Sequence, residues 1–276
     1  MKRQKVFNFV RGLMLLFFLG VLLYPSISDY VGKLHTSSAV QSYDEEVKGI
    51  DEQTKKDLLE KARQYNQSLV GSSQVFDPFS DEGQENNTYL QQLSFMPSGM
   101  MGYIQIPKLD IKLGIYHGTD NGVLQKGVGH LEGSSLPIGG ESTHCVLSGH
   151  RGLPSSKLFT DLDQMTEGDI FYITVLNETL AYQVDQIKTV LPNEMDDIQI
   201  VEGEDYVTLV TCTPYSVNTH RLLVRGKRID YSEAIKEAPN EVKTKLELSF
   251  EVKIALIAFL IVLIGILKLK RGKGNE

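Results

Sequence analysis

Short β-strand patterns separated by turn signals fill the middle of this chain and limit the folds it can adopt. From Gly102 to Ile229, runs rich in β-branched and aromatic residues alternate with turns that contain glycine, asparagine or aspartate. Together with a glycine-rich segment at 127–133, the runs make about eight strands. The clearest lie at 103–107, 111–116, 143–148, 169–177, 179–190, 207–213 and 221–229. This pattern predicts a mainly β domain, either a closed antiparallel barrel or a sandwich.

Two apolar segments near the ends predict attachment to a membrane. Residues 12–24 follow a basic stretch, and residues 254–267 precede a cluster of lysine and arginine. No small-residue cleavage site follows Tyr24, so we favour an uncleaved anchor over a signal peptide. Basic flanks stay in the cytoplasm, so both termini are expected there, with the middle of the chain on the extracytoplasmic face of the cell membrane. Both runs are shorter than the roughly 20 residues that a span prefers, and the alternative for the second is a buried helix.

The segments between the N-terminal run and the strands predict a helix followed by a loop. Residues 42–69 have helical apolar spacing, and Ser42 with Glu45 fits a capping box. Short helices are also expected at 86–92 and 155–159. The predicted divisions are a basic cytoplasmic end (1–11), an N-terminal anchor or signal (12–28), a helical lead-in (40–69), a loop (70–85), the β domain (86–231), a linker (232–250), a C-terminal transmembrane helix (251–268) and a basic cytoplasmic tail (269–276).

Charge and cysteine content exclude several functions. The net charge of −7 argues against a nucleic-acid partner. The 2 cysteines form no C-x-x-C pair, so no metal site and no cofactor are predicted. Cys145 and His150 are an odd number of residues apart, so a continued strand would point them to opposite faces. Cys145 is therefore expected to be a core thiol rather than the disulfide partner of Cys212.

A cysteine, a histidine and an arginine stand at the ends of predicted strands, which can meet at one rim. Cys212 lies at the end of a strand that Pro214 terminates, and Arg221 begins the next strand. His150 follows another strand in a glycine-flanked turn. A thiol nucleophile needs a base, and a guanidinium can stabilise an oxyanion. The remaining histidines considered are expected to be structural, namely His117, His130, His144 and His220.

Two motifs resemble the active-site segments of the sortase family, and the likeness runs from about Ile104 to Ile229. They are Ser148-Gly149-His150-Arg151-Gly152 and Thr211-Cys212-Thr213-Pro214-Tyr215, the latter followed by Asn218-Thr219-His220-Arg221-Leu222-Leu223-Val224-Arg225-Gly226. The resemblance implies an eight-stranded sortase-type barrel and a cysteine transpeptidase. Cys212 would be the nucleophile, His150 the acid–base group and Arg221 the donor to the oxyanion or the substrate. The pattern departs at Ser216, where related chains often carry glycine.

The loop at 70–85 contains Asp77-Pro78-Phe79, which resembles the lid motif of class C sortases. The resemblance implies that Asp77 pairs with Arg221 and that Phe79 covers Cys212, so that the three lid residues regulate access. We expect this ion pair to be partly exposed and worth on the order of 1 kcal/mol. Judged without the resemblance, the loop is a segment that its aromatic residues pin to the core.

Similarity to class C implies a particular reaction in a Gram-positive bacterium. The enzyme would cleave a Leu-Pro-x-Thr-Gly-like sorting signal of pilin subunits and join the thioacyl intermediate to a lysine of another pilin, which builds covalent pili. Rival interpretations are a housekeeping sortase that anchors proteins to a cell-wall precursor, a plain cysteine protease and a non-catalytic membrane-anchored binding protein.

Overall fold

The N-terminal part of the chain is helical in the computed structural model, which describes residues 2–71, 75–80, 87–153 and 156–238. Helix α1 spans Lys2–Gly49, and helix α2 spans Glu52–Leu69. The helix predicted over 42–69 is thus divided near Ile50. Ser42 lies inside α1, so it does not cap a helix; Asp51 caps α2 instead, where its side chain accepts a hydrogen bond from the Thr54 amide.

The described residues divide into two units, residues 2–34 and residues 35–238. Within the described residues, no single helix is both long and apolar enough to cross a bilayer, but the bent pair Val10–Tyr24 and Ile27–Gly49 could do so by length and composition. The predicted C-terminal span at 251–268 and the basic tail after it lie outside the described residues.

The second unit contains a closed barrel, and this confirms the predicted eight-stranded fold. The strands close in the order β1-β2-β3-β4-β7-β8-β6-β5. Their bounds are β1 Met100–Ile106, β2 Ile111–His117, β3 Val128–His130, β4 Thr143–Ser148, β5 Ile170–Val175, β6 Glu178–Val190, β7 Asp205–Thr213 and β8 His220–Ile229. Shorter helices are α3 Asn87–Leu90, α4 Asn121–Lys126 and α5 Tyr231–Glu237, with 3₁₀ turns at Pro107–Leu109, Leu162–Gln164 and Asp196–Ile198.

The barrel is not fully antiparallel, which corrects the sequence expectation. Strands β2 and β3 pair in parallel, as do β4 and β7. A parallel pair needs a crossover connection, and α4 lies between β2 and β3, where the sequence predicted only a turn. Asp120 caps α4 through the Gly122 and Val123 amides. Between β4 and β7 the chain forms the β5–β6 hairpin, at the adjacent runs 169–177 and 179–190 that the sequence predicts as strands.

The short helix expected at 155–159 is absent from the described part, residues 156–159. Leu158 has φ +37, a conformation outside the right-handed helical region. A 3₁₀ turn begins later, at Leu162.

Alternate residues along β4, β7 and β8 enter two different hydrophobic clusters. Cys145, Val207 and Val224 belong to the main core. Their neighbours face the other side of the sheet, as the two-residue period of a strand requires. They form a second cluster with residues from outside these strands, consisting of Val75, Leu131, Val146, Met195, Ile198, Val210 and Leu223, with Phe79 and Val190 packed against it.

Candidate active site

Cys212 and Arg221 are directly opposite each other on the antiparallel strands β7 and β8. Directly opposed residues point to the same face of a sheet, with Cβ atoms about 5 Å apart. The intervening turn contains Ser216 at φ +65 and Asn218 at φ +60. Glycine adopts this left-handed conformation most readily, which gives a physical meaning to the departure from the family pattern at Ser216.

His150 is brought towards the same strand end by the parallel pairing of β4 with β7. Ser148 is paired with Val210, and the Gly149 amide donates to the Val210 carbonyl at 3.1 Å. The Thr211 hydroxyl donates in turn to the Gly149 carbonyl at 2.7 Å. The segment that carries His150 is therefore bound to β7 up to the residue before Cys212.

Residues 75–80, here called the lid segment, lie over this region. Phe79 contacts both His150 and Arg221: its ring is 5.9 Å from the His150 ring and 5.1 Å from the Arg221 guanidinium carbon. Val75 and Phe79 pack in the second cluster, whereas Phe76 is 45% exposed. The structure therefore gathers His150, Phe79 and Arg221, and Arg221 is opposite Cys212.

Asp77 and Arg221 form a bidentate ion pair. The Arg221 Nε donates to Asp77 Oδ1 at 2.7 Å, and Nη2 donates to Oδ2 at 2.5 Å. The two side chains are only 9% and 10% exposed, so the expectation of a partly exposed pair is wrong. The Phe79 ring, 5.1 Å from the Arg221 guanidinium carbon, packs beside the pair and contributes to its burial. Breaking a buried pair by removing one partner typically costs about 3–5 kcal/mol, well above the value for a surface pair.

Burial also sets the protonation states of the thiol and the imidazole. It raises the pKa of Cys212; Arg221 opposes this shift and Asp77 adds to it. Burial lowers the pKa of His150. For Arg221, burial acts to lower the pKa, but the bonds to Asp77 outweigh it and the net shift is upward. With the lid segment in place, the neutral thiol and neutral imidazole are favoured.

The other histidines of the barrel make structural contacts. The ring nitrogens of His130 face the Tyr89 hydroxyl and the Ser135 carbonyl. Those of His144 face the Gln199 carbonyl and the Thr208 hydroxyl.

His117 and His220 also have hydrogen-bond partners, which are the Gln92 carbonyl for the former and the Thr219 hydroxyl for the latter. Cys145 is a free, buried thiol in the main core, as expected, and Cys212 is free as well. Among the described residues, no group of three or more histidine, cysteine and acidic side chains could hold a metal ion.

Arg151 is a buried residue of this region to which the sequence assigned no role of its own. Its side chain is 9% exposed and forms an ion pair with Asp163, while Nη1 donates to the Thr213 hydroxyl at 3.0 Å. The signal in the sequence was a charged residue directly after His150 in a glycine-flanked turn, where function and solvation cannot be told apart.

Comparisons with known proteins match this arrangement. The family model described as a sortase domain matches residues 104–229. Sortase D of Bacillus subtilis (strain 168) is 30% identical over 159 residues, which are 55% of this chain and 77% of that protein. Among solved structures, sortase C1 of Streptococcus agalactiae is 52% identical with TM-score 0.65, covering 70% of this chain and 98% of that one. Streptococcus pneumoniae sortase C is 47% identical with TM-score 0.66, covering 70% and 97%.

A closed eight-stranded barrel with a cysteine and an arginine opposed at a strand end, beside a histidine-bearing turn, defines a class of cysteine-dependent barrel enzymes. The chain belongs to the sortase family within this class, and the solved structures it resembles are class C sortases. It is accordingly a cysteine transpeptidase.

Proposed function

We propose that this enzyme polymerises pilins: it cleaves their C-terminal sorting signal and transfers the acyl group to a lysine of the next subunit. The observation that carries the proposal is the lid segment, whose Asp77 engages Arg221 and whose Phe79 lies against His150. The similar Streptococcus pneumoniae protein is described in connection with pilin substrate specificity. The apolar N-terminal part of α1 is consistent with attachment of the enzyme to the cell membrane.

Each of the three site residues has a role that its surroundings support. Cys212 attacks a backbone carbonyl of the sorting signal, and His150 accepts the thiol proton. Arg221 donates to the carbonyl oxygen as it becomes tetrahedral. The intermediate collapses to a thioester, and His150 returns the proton to the departing amine. The amine of a pilin lysine then attacks the thioester, which forms an isopeptide bond and restores the Cys212 thiol.

The lid residues Asp77, Pro78 and Phe79 control this reaction in the proposal. Asp77 occupies two donors of Arg221 that the substrate oxygen would need. Pro78 is buried and fixes the backbone between Asp77 and Phe79. Exchange of the lid for the sorting signal would release Arg221 and bring the substrate carbonyl beside Cys212.

A housekeeping sortase, which attaches proteins to a cell-wall precursor, is the second candidate. The curated relatives that match part of this chain include sortase A of Streptococcus agalactiae serotype III (strain NEM316), 30% identical over 131 residues. The two candidates share the acyl enzyme and differ only in the amine that resolves it.

The test uses the full chain with a sorting-signal peptide and mass spectrometry of the covalent adduct. We expect Cys212→Ala to abolish acyl-enzyme capture and Cys145→Ala, the matched substitution at the core thiol, to retain it. Adduct that persists in Cys212→Ala would exclude Cys212 as the nucleophile. Offering pilin lysine, wall-peptide amine or water to the preformed acyl enzyme then separates pilin polymerisation from wall anchoring and from proteolysis.

A further inference from the structure

Arg151 connects the segment that carries His150 to the segment that carries Cys212. It directly follows His150 in the chain, and its Nη1 donates to the hydroxyl of Thr213, the residue directly after Cys212, at 3.0 Å. We infer that Arg151 is a positioning residue, which holds the imidazole and the thiol in register for proton transfer. The inference rests on the proposed roles of Cys212 and His150.

The burial of Arg151 is unusual for a residue in a turn. Its side chain is 9% exposed, and the Nε is buried without a hydrogen-bond partner among the described residues. The ion pair with Asp163 satisfies Nη2, but Asp163 itself is 48% exposed. A buried cation is costly to desolvate, so a solvated surface role does not explain this placement.

The turn around Arg151 is bound on both sides. The His150 carbonyl accepts from the Phe159 amide at 3.1 Å, and the Gly152 amide donates to the Thr160 hydroxyl at 3.0 Å. Gly152 has φ +80, and a Cβ there would lie 2.8 Å from the Tyr215 ring. These bonds hold the backbone of the turn, and the Thr211–Gly149 hydrogen bond connects it to β7 before Cys212. The Arg151–Thr213 hydrogen bond adds a second connection to β7, after Cys212.

The geometry of the guanidinium explains why arginine occupies this position. Its planar fork can reach Thr213 and Asp163 at the same time from fixed directions, whereas the lysine ammonium is a point charge on a flexible stem. The benefit is in accuracy, since a displacement of about 1 Å between reacting groups can reduce a rate by about 100-fold.

The test is the pH dependence of Cys212 alkylation by iodoacetamide in the full chain carrying Asp77→Ala. We expect Arg151→Met to slow alkylation at neutral pH by at least about tenfold and to move the midpoint of the pH–rate profile upward, because a displaced imidazole no longer stabilises the thiolate. Arg151→Lys, which keeps the charge but not the fork, should behave like Arg151→Met. Thr213→Val should give part of the effect, and the double variant Arg151→Met/Thr213→Val should be no slower than Arg151→Met.

The matched control is Arg225→Met, which removes a different arginine ion pair. Arg225 lies on β8, its side chain is 18% exposed, and it pairs with Asp185. Its profile should coincide with that of the parent. If Arg151→Met has the same alkylation profile as the parent, the inference is overturned. It is also overturned if Arg151→Met is alkylated slowly while Arg151→Lys has the parental profile, since the positive charge alone would then suffice.

A parallel His150→Ala arm separates this inference from the proposed function. If His150→Ala leaves the profile unchanged, the thiol–imidazole pair is wrong, and the positioning role that acts through it fails as well. If His150→Ala changes the profile and Arg151→Met does not, only the positioning role fails. Should Arg151→Met not fold, Arg151→Lys and Thr213→Val give the same decision, with thermal unfolding measured for each variant.

Discussion

Among the histidines, burial separates residues that can accept a proton from those that serve structure. It lowers the pKa of His130 to about 4 and that of His144 to about 4 as well. Their ring nitrogens face polar partners inside the protein, so protonation would require an existing contact to change. His150 is only partly buried and stands in the turn after β4.

The lowered pKa of His144 predicts that acid destabilises the protein. The unfolded chain binds a proton near pH 6.5 and the folded chain only near pH 4, so the stability due to neutral His144 is present above pH 6.5 and is lost as the pH falls to 4. The loss should be on the order of 3 kcal/mol. Urea unfolding measured across this range should give a flatter curve for His144→Gln than for the wild type.

His220→Gln, the same substitution at a partly exposed histidine, controls for loss of an imidazole as such. If His144→Gln retains the full acid dependence of the wild type, another group carries the effect and this account of His144 is incorrect.

At the scale of secondary-structure elements, helix α2 is attached to the barrel domain by side-chain to main-chain hydrogen bonds. Asn66 accepts from the Leu136 amide at 2.7 Å and donates to the Leu136 carbonyl at 3.3 Å. The same Asn66 side chain is 3% exposed. One amide side chain thus replaces the pairing that a neighbouring strand would provide for Leu136.

Asn66→Ala is expected to lower the free energy of unfolding by about 1–3 kcal/mol, because it leaves both main-chain groups of Leu136 without their partner. Denaturant unfolding monitored by circular dichroism measures the change. Gln64→Ala on the same helix removes an exposed bond to Glu60 and should change stability far less. Equal effects of the two substitutions would show that the buried contact adds nothing beyond helix propensity.

At the scale of the whole molecule, the lid segment links residues that are 144 positions apart, Asp77 and Arg221. Asp77 pairs with the guanidinium whose charge lowers the pKa of Cys212, and the charge of Asp77 itself raises that pKa. In the proposed regulation, the closed lid therefore favours a resting enzyme through the charge of Asp77.

Opening the lid is expected to make Cys212 more acidic. Asp77→Ala removes a charge that raises the pKa of Cys212 and frees Arg221, which lowers it. Alkylation of Cys212 should be faster at neutral pH, and its midpoint should lie at lower pH than in the wild type. Phe79→Ala should also speed labelling by exposing the thiol.

Asp185→Ala breaks an ion pair of Arg225 elsewhere on the barrel and should leave labelling unchanged. Equal labelling of the wild type, Asp77→Ala and Phe79→Ala would exclude a regulatory lid without bearing on the enzyme's nucleophile.

The barrel strands were predictable because their signals are local. The period of apolar residues, the stop at Pro214 and the turn at Asn177, which has φ +71, all depend on neighbours in the chain. The signals that failed were also local ones: the capping box at Ser42 is overridden by continuation of α1, and the helix expected after residue 155 by the backbone at Leu158. Tertiary context overrides short-range preference at such positions.

The residue pattern was sufficient to define the strands, the family and the chemically competent groups, because each is encoded in contiguous residues. The parallel pairing of β4 with β7, the burial of the Asp77–Arg221 pair and the contact of Arg151 with Thr213 required the folded chain. These features join residues far apart in sequence, and their exposure to water depends on how distant side chains pack. No local pattern specifies that packing, and it sets the charge state of the thiol.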